Sequence, residues 1–421
     1  MSAAAPFTSS LAEALAPDVL DRFTRYVRID TQSDRDSGTS PSSAGQFDLA
    51  RLLCDELRAL GLADVVLDDA CYVTATLPGA PGAPAVGVIA HLDTSPDAPG
   101  AGVEPLVHER YDGGVIELPR GGTRLDPQAI PELAGKLGHT LITSSGDTLL
   151  GADDKAGVTA IMAALAHLTA HPQQPRCTLK VAFTPDEEIG SLASGLDLER
   201  FGARCAYTID GSALGELSYE SFSAKEAVVE IEGVDVHPGH ATGKMVSALR
   251  LACAVIDALP SDRLTPATSS GRQGYLHPYE LHGTAARARF RVLLRDFDDE
   301  LLNAHEQLLR GTVERVVGAD PRARATVEVR RQYHNMRTAI ERDPDVITAA
   351  REAFAAEGIE PFSDPIRGGT DGAALSLRGL PTPNIFDGGY EYHSVREWAS
   401  LQEMAAAAAV VVRLAEVWSR R

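Results

Sequence analysis

Residues 85–97 read AVGVIAHLDTSPD. The apolar run Ala85–Ala90 leads straight into His91 and Asp93. A short apolar run bounded by Gly and Pro predicts a buried strand, with His91 and Asp93 at its carboxyl end. The arrangement recurs: Thr178–Phe183 runs into TPDEEIG (Thr184–Gly190), and Cys205–Ile209 into TIDGS (Thr208–Ser212). Two more glycine-bounded segments carry the same residue types, GADDKAG (Gly151–Gly157) and GGYEYHSVREW (Gly388–Trp398). In an open α/β sheet the carboxyl ends of the strands form the crevice where ligands bind. Singly, each segment is weak, since DD is often a helix N-cap and DEE a solvated loop. Gathered together, their carboxylates and imidazoles would repel or desolvate one another unless a cation compensates. His, Asp and Glu are the side chains that hold zinc or a similar divalent ion.

Working outward, helices are expected from about Pro17 to Val27, Ser43 to Leu60 and Lys155 to Ala170, with further strands at Val65–Leu67 and Val73–Leu77. Alternating strands and helices predict an α/β layer with helices on both faces of the sheet. After about Ser221 the pattern changes. Strands Ala227–Val236, Ala286–Leu294 and Ala325–Arg331, separated by helices Lys244–Ala258 and Asp298–Val317, form a β-α-β-α-β block. The α/β pattern resumes from about Asp343. The reading is a catalytic domain in two parts, 1–221 and 334–421, with a small α+β domain, 222–333, inserted between them. The apolar stretch Met404–Val412 is too short to span a bilayer and reads as part of a buried C-terminal helix.

The chain has 421 residues, 44% of them hydrophobic and 23% charged, with a net charge of −20. Two domains are expected at this length. The acidity argues against a nucleic-acid or anionic-membrane partner, both of which need a cationic surface. The five cysteines, Cys54, Cys71, Cys177, Cys205 and Cys253, form no CxxC pair. A thiolate zinc site is therefore not expected, and reduced, mostly buried thiols are. The first residues lack a cationic start and an apolar core, so a secretory signal is not expected and a cytoplasmic location is.

The segments HLDTSPD, LLGADDKAG, AFTPDEEIG, YTIDG, VHPG, RDFD, PIRGGTDG and PNIFDGGYEYH, in this order, resemble the peptidase T family of tripeptide aminopeptidases. That family lies within the wider group of two-zinc metallopeptidases that includes carboxypeptidase G and aminoacylase. The resemblance implies a two-zinc exopeptidase-like α/β catalytic domain with a mixed central sheet, and an inserted lid and dimerisation domain. It implies two Zn2+ per subunit, with Co2+ or Mn2+ as alternative occupants. His91 and Asp210 would hold one ion, Glu188 and His393 the other, and Asp153 would bridge them. Asp93 would orient the His91 imidazole. Glu187, beside a ligand but not itself one, would be the general base.

The same resemblance gives His237 of VHPG an oxyanion-stabilising role reached across a homodimer. It makes Arg295, Arg367 and Asn335 candidates for holding the substrate. Relatives commonly carry a second histidine three residues after the metal-binding one; here that position is Arg396. The expected substrates are tripeptides, with release of the N-terminal residue. The alternative within the fold is a dipeptidase or N-acyl amino acid deacylase. A non-catalytic scaffold would be expected to have lost the base or a ligand, and His91, Asp153, Glu187, Glu188, Asp210 and His393 are all present.

Overall fold

The computed structural model describes residues 6–421. They divide into two compact units. The larger comprises the chain up to Tyr219, Thr338–Asp364 and Thr370–Arg421; the smaller comprises Glu220–Arg337 and Pro365–Gly369.

A seven-stranded mixed sheet organises the larger unit, in the order Ala63–Leu67, Val73–Leu77, Thr178–Thr184, Ala85–His91, Cys205–Thr208, Asn384–Ile385, Leu217–Ser218. Its central strands are parallel. Ala85–His91 pairs residue for residue with Thr178–Thr184, so His91 lies opposite Thr184. On its other side Ile89 lies opposite Thr208. The segments that follow all three strands therefore leave the sheet at the same edge. Strands buried on both faces read as continuous apolar runs, which is why the sequence shows them clearly.

Helices Ser10–Tyr26, Ala152–Ala170 and Leu401–Trp418 pack on one another and on this sheet. The last is buried along its length except at Arg413 and Glu416. A helix apolar on all sides belongs in a core, and its alanine run Ala405–Ala409 allows close neighbours. The helix expected to begin at Pro17 begins at Ser10 instead. The Ser9 hydroxyl caps it, accepting from the Ala12 N–H at 3.0 Å. Pro17 lies inside the helix, and burial of Leu15, Val19, Phe23 and Tyr26 offsets its missing N–H. Helix Ala152–Ala170 approaches the end of strand Cys205–Thr208 so closely that a Cβ on Gly157 would sit 1.9 Å from Ile209 O. Only glycine permits that approach.

Residues 98–150 form structure that the sequence pattern does not disclose. Leu106–His108 and Leu141–Thr143 join Trp398–Ser400 and Gly389–Tyr390 in a second, four-stranded sheet. Strands of two or three residues are too short to show a period.

The smaller unit is a four-stranded antiparallel sheet, in the order Tyr275–Gly283, Arg287–Asp296, Ser223–Glu232, Arg324–Tyr333. Helices Ala248–Asp257 and Asp299–Val317 pack on it around Ala227, Val229, Ile231, Phe290 and Val292. The block is thus β-α-β-β-α-β rather than β-α-β-α-β. The unexpected strand, Tyr275–Gly283, lies at the sheet edge, where Pro278 and the largely exposed His282 are tolerated. The expected strand Ala227–Val236 is shifted to Ser223–Glu232, because Val234 leaves the ladder to pair with Val246. Ser247, not Lys244, opens the following helix, its hydroxyl accepting from the Arg250 N–H. Pro365–Gly369, within the range read as catalytic domain, belongs to this unit, with Ile366 pairing beside Ser221.

Among the described residues no helix is long and apolar enough to cross a membrane. The five cysteines are unpaired, four of them buried and Cys253 exposed.

Candidate active site

Three neighbouring strand ends deliver the cluster in the larger unit. His91 closes its strand, and its Nδ1–H donates to the Asp93 carbonyl at 2.9 Å. With Nδ1 so engaged, Nε2 faces Asp153 Oδ1 at 2.9 Å and Asp210 Oδ1 at 3.6 Å. The loop after Tyr390 brings in His393, whose Nε2 lies 2.9 Å from Glu188 Oε2 and 3.2 Å from Asp153 Oδ2. Asp153 thus turns one carboxylate oxygen to each imidazole. Asp97, 3.4 Å from His393 Nδ1, is itself held by Arg35 at 2.7 Å.

Asp93 does more than the sequence reading gives it. The nearest acceptor to His91 Nδ1 is Asp93's main-chain oxygen; its carboxylate is 3.4 Å away. The carboxylate instead accepts the backbone N–H groups of Glu187 at 3.0 Å and Glu188 at 3.2 Å. Asp186, at φ +59°, fastens the same turn from the other side. Its buried carboxylate accepts from the Ser42 N–H and hydroxyl and from Gln46 Nε2. The start of the Glu187–Glu188 turn is therefore held by two separate segments.

Asp154 was not singled out in the sequence, and it lies within reach of His91 and Asp210. Its oxygens accept from the His91 N–H at 3.0 Å and the Gly157 N–H at 3.1 Å, so it positions the cluster from beneath. Glu397 accepts from the backbone of Leu150, Gly151 and Asp153. Asp371 accepts from Thr184 Oγ1 at 2.6 Å, and Asp387 from Gly389 N–H at 2.8 Å. The motifs GADDKAG, PIRGGTDG, PNIFDGGYEYH and GGYEYHSVREW contain these residues, but only the fold discloses their neighbours.

The electrostatics are those of an overfilled anionic site. Burial, then repulsion from Asp210, pushes Glu187 well above the usual carboxylate range. Burial and Asp153 push Glu188 up to about 7. Burial raises Asp210 and, with Asp210 beside it, raises Asp154 strongly. Burial works against Asp153 too, but hydrogen bonds from His393 and His91 outweigh it and hold that carboxyl below its usual range. The partnering carboxylates Asp153 and Glu188 raise His393 to about 11.

A divalent cation fits this donor set. Zinc bonds of about 2.0–2.2 Å place tetrahedral ligand atoms about 3.3–3.6 Å apart, close to the 2.9–3.6 Å separations around each imidazole Nε2. Glu188 Oε1 is buried without a hydrogen-bond partner, an acceptor left for a ligand. His91, Asp153 and Glu188 offer atoms that lie within 4.8 Å of one another.

Of the remaining residues singled out by sequence, all but Arg396 lie in the smaller unit. Arg295 donates to Lys225 O and Leu294 O and lies over the Tyr333 ring. Arg367 commits both terminal nitrogens to Gly271 O, Gln273 O and Ser269, and its guanidinium lies against the rings of Phe222 and Tyr275. Asn335 donates to Phe297 O and Glu220 and accepts from the Ser221 N–H. His237 is exposed, and its Nδ1 accepts from the Gly239 N–H at 3.1 Å. Arg396 forms an ion pair with Glu391 at 2.9 Å.

A model of peptidase family M20/M25/M40 matches residues 149–417. The chain is 44% identical over 407 residues to a protein named Peptidase T from Geobacillus thermodenitrificans (strain NG80-2), covering 96% of this chain and 99% of that one. Its fold is similar to that of aminopeptidase PepT from Bacillus cereus, with TM-score 0.74 and 23% identity over 96% of this chain and 98% of that one. It is also similar to a tripeptidase from Staphylococcus aureus, with TM-score 0.76 and 21% identity over 96% and 99%.

Proposed function

The chain belongs to peptidase family M20/M25/M40, and on that premise we infer that it is a tripeptide aminopeptidase, releasing the N-terminal residue by hydrolysis at the His91–His393 cluster. The observation that carries this reading is Asp153, one oxygen toward each imidazole, in a chain similar over nearly its full length to Peptidase T.

We assign the cluster to two Zn2+, with Co2+ or Mn2+ as alternative occupants. His91 and Asp210 would hold one, Glu188 and His393 the other, and Asp153 both. When bound, such ions polarise the scissile carbonyl and make water nucleophilic at neutral pH. Glu187 takes the proton of the attacking water on its carboxylate and returns it to the leaving amine. Its turn is clamped by Asp93 and Asp186, so the carboxylate is presented without reorganisation. His237 is assigned to the developing oxyanion. Because its Nδ1 accepts from Gly239, its neutral ring carries the proton on Nε2, the nitrogen left free to donate. Arg295, Arg367 and Asn335 are assigned to shaping the substrate-facing part of the smaller unit. A direct grip on the peptide would require them to exchange the bonds they now make.

We also assign the smaller unit to homodimer formation and the protein to the cytoplasm. A reducing compartment suits four buried, unpaired thiols.

A peptide panel tests the reading. Tripeptides with a free N-terminus are expected to release their first residue, while their N-acetylated forms and longer peptides resist. Preference for dipeptides or for N-acyl amino acids would replace it with the dipeptidase or deacylase reading. Chelation is expected to abolish turnover and lower the melting temperature, both restored by Zn2+. An ion present at 100 times its Kd stabilises the folded state by about 2.7 kcal/mol.

His237→Ala is expected to keep metal content and to lower kcat about 10²–10³-fold, with little change in KM. Mixing inactive His237→Ala chains with inactive Glu187→Ala chains should restore part of the activity if the imidazole acts across a dimer. Proven heterodimers without recovery would exclude that route.

A further inference from the structure

We propose that Glu397 is the positioning residue that ties the Asp153 loop to the His393 loop and so sets the affinity of the site for both ions. The proposal rests on reading the cluster as a metal centre.

Glu397 lies four residues beyond His393, on the same loop, and is 1% exposed. Its Oε2 accepts from the N–H groups of Leu150 and Gly151, both at 2.7 Å, and its Oε1 from the N–H of Asp153 at 3.1 Å. One carboxylate therefore holds the main chain of the bridging ligand from a point 244 residues away in sequence.

Both loops need an external hold. Gly151 is left-handed at φ +83°, and Asp153 and Asp154 depart from helical geometry at ψ 104° and 35°. Their amides cannot be satisfied within a helix. On the other side, Glu391 and His393 adopt φ +54° and +57°. Non-glycine residues persist there only where the surroundings over-determine them. That loop is braced by Ser394 Oγ donating to Glu391 O at 2.7 Å and by Glu397 N–H donating to Ser394 O at 3.2 Å. Glu397 closes the brace onto the Asp153 loop. Asp154 fastens the same loop to the His91 backbone. Asp153 is thus tethered toward both imidazoles, by Asp154 on one side and Glu397 on the other. Three charge-assisted bonds offset the cost of burying Glu397. A change there moves the one carboxylate shared by both ions.

The test is Glu397→Gln in the full chain. It preserves size but turns an amide donor toward backbone donors. Glu397→Asp, which keeps the charge but shortens the reach, serves as the second variant should the first not fold. Protein stripped of metal is titrated with Zn2+ against a competing chromophoric chelator, and melting is followed with and without Zn2+. Affinity for both ions is expected to fall about 10–100-fold, the range typical of partners behind a ligand. Melting of the Zn2+-saturated variant should fall more than that of the metal-free variant, and added Zn2+ should recover much of kcat. Unchanged affinity with lowered metal-free melting would reduce Glu397 to a helix cap and overturn the proposal. So would weakening at one ion alone, or a wild-type chain that binds no Zn2+. None of these readouts uses a substrate, so a metal-binding wild type inert toward tripeptides would sink the aminopeptidase reading and leave this one standing.

Discussion

Glu187→Gln is expected to retain both ions and to lose turnover by about 10²–10⁴-fold or more. The side chain is the same length, so the turn that carries it should survive. The N–H groups of Glu187 and Glu188 stay with Asp93, and Asp186 stays with Ser42 and Gln46. Glu188 then still faces His393. What is lost is one acceptor for a proton. The check is elemental analysis of the purified variant beside a single-turnover assay on a tripeptide. An ion lost together with activity would mean that the roles of Glu187 and Glu188 are exchanged. An active variant would move the base elsewhere, with Asp371, whose burial lifts it to about 7, as the next carboxyl to examine.

Asp153→Ala should be the most damaging ligand substitution. Its two oxygens serve both imidazole centres, at 2.9 Å and 3.2 Å, whereas Asp210 and Glu188 each serve one. Removing it leaves two cations with less negative charge between them. The loss in metal affinity should exceed the roughly 10–100-fold expected of residues behind the ligands, and Zn2+ should no longer raise the melting temperature. Isothermal titration of the metal-free variant decides the matter. Two ions bound at wild-type affinity would refute the bridge.

The sequence discloses strands where burial on both faces produces unbroken apolar runs. Ala85–His91 is legible for that reason, whereas Val73–Leu77 shows the alternation of a half-buried strand and Thr178–Thr184 an apolar run broken only by Lys180. It conceals Tyr275–Gly283, an edge strand whose exposed residues follow no hydrophobic rule, and the two- and three-residue strands between 98 and 150. The site divides in the same way. His91, Asp153, Glu187, Glu188, Asp210 and His393 could be found because each lies in a glycine-bounded segment or beyond an apolar run. The roles proposed for them rest on the resemblance. Asp154 and Glu397 act on main-chain groups of other segments, and no local pattern records such a bond. For Arg367 the resemblance implies a candidate for holding the substrate, and the bonds of its terminal nitrogens to the 269–273 loop are likewise visible only in the fold.

Helix Leu401–Trp418 also bears on how the protein is made. It packs on Ser10–Tyr26, which leaves the ribosome well before it. At ~5–20 residues per second the early helix waits roughly 20 to 75 s for its partner. Meanwhile Val19, Phe23 and Tyr26, and the apolar side of Ala152–Ala170, have no permanent cover. The smaller unit, complete once Gly369 emerges, can settle first. Ribosome stalling, premature stop codons or chaperone depletion during that interval would therefore expose the larger unit to aggregation and proteolysis.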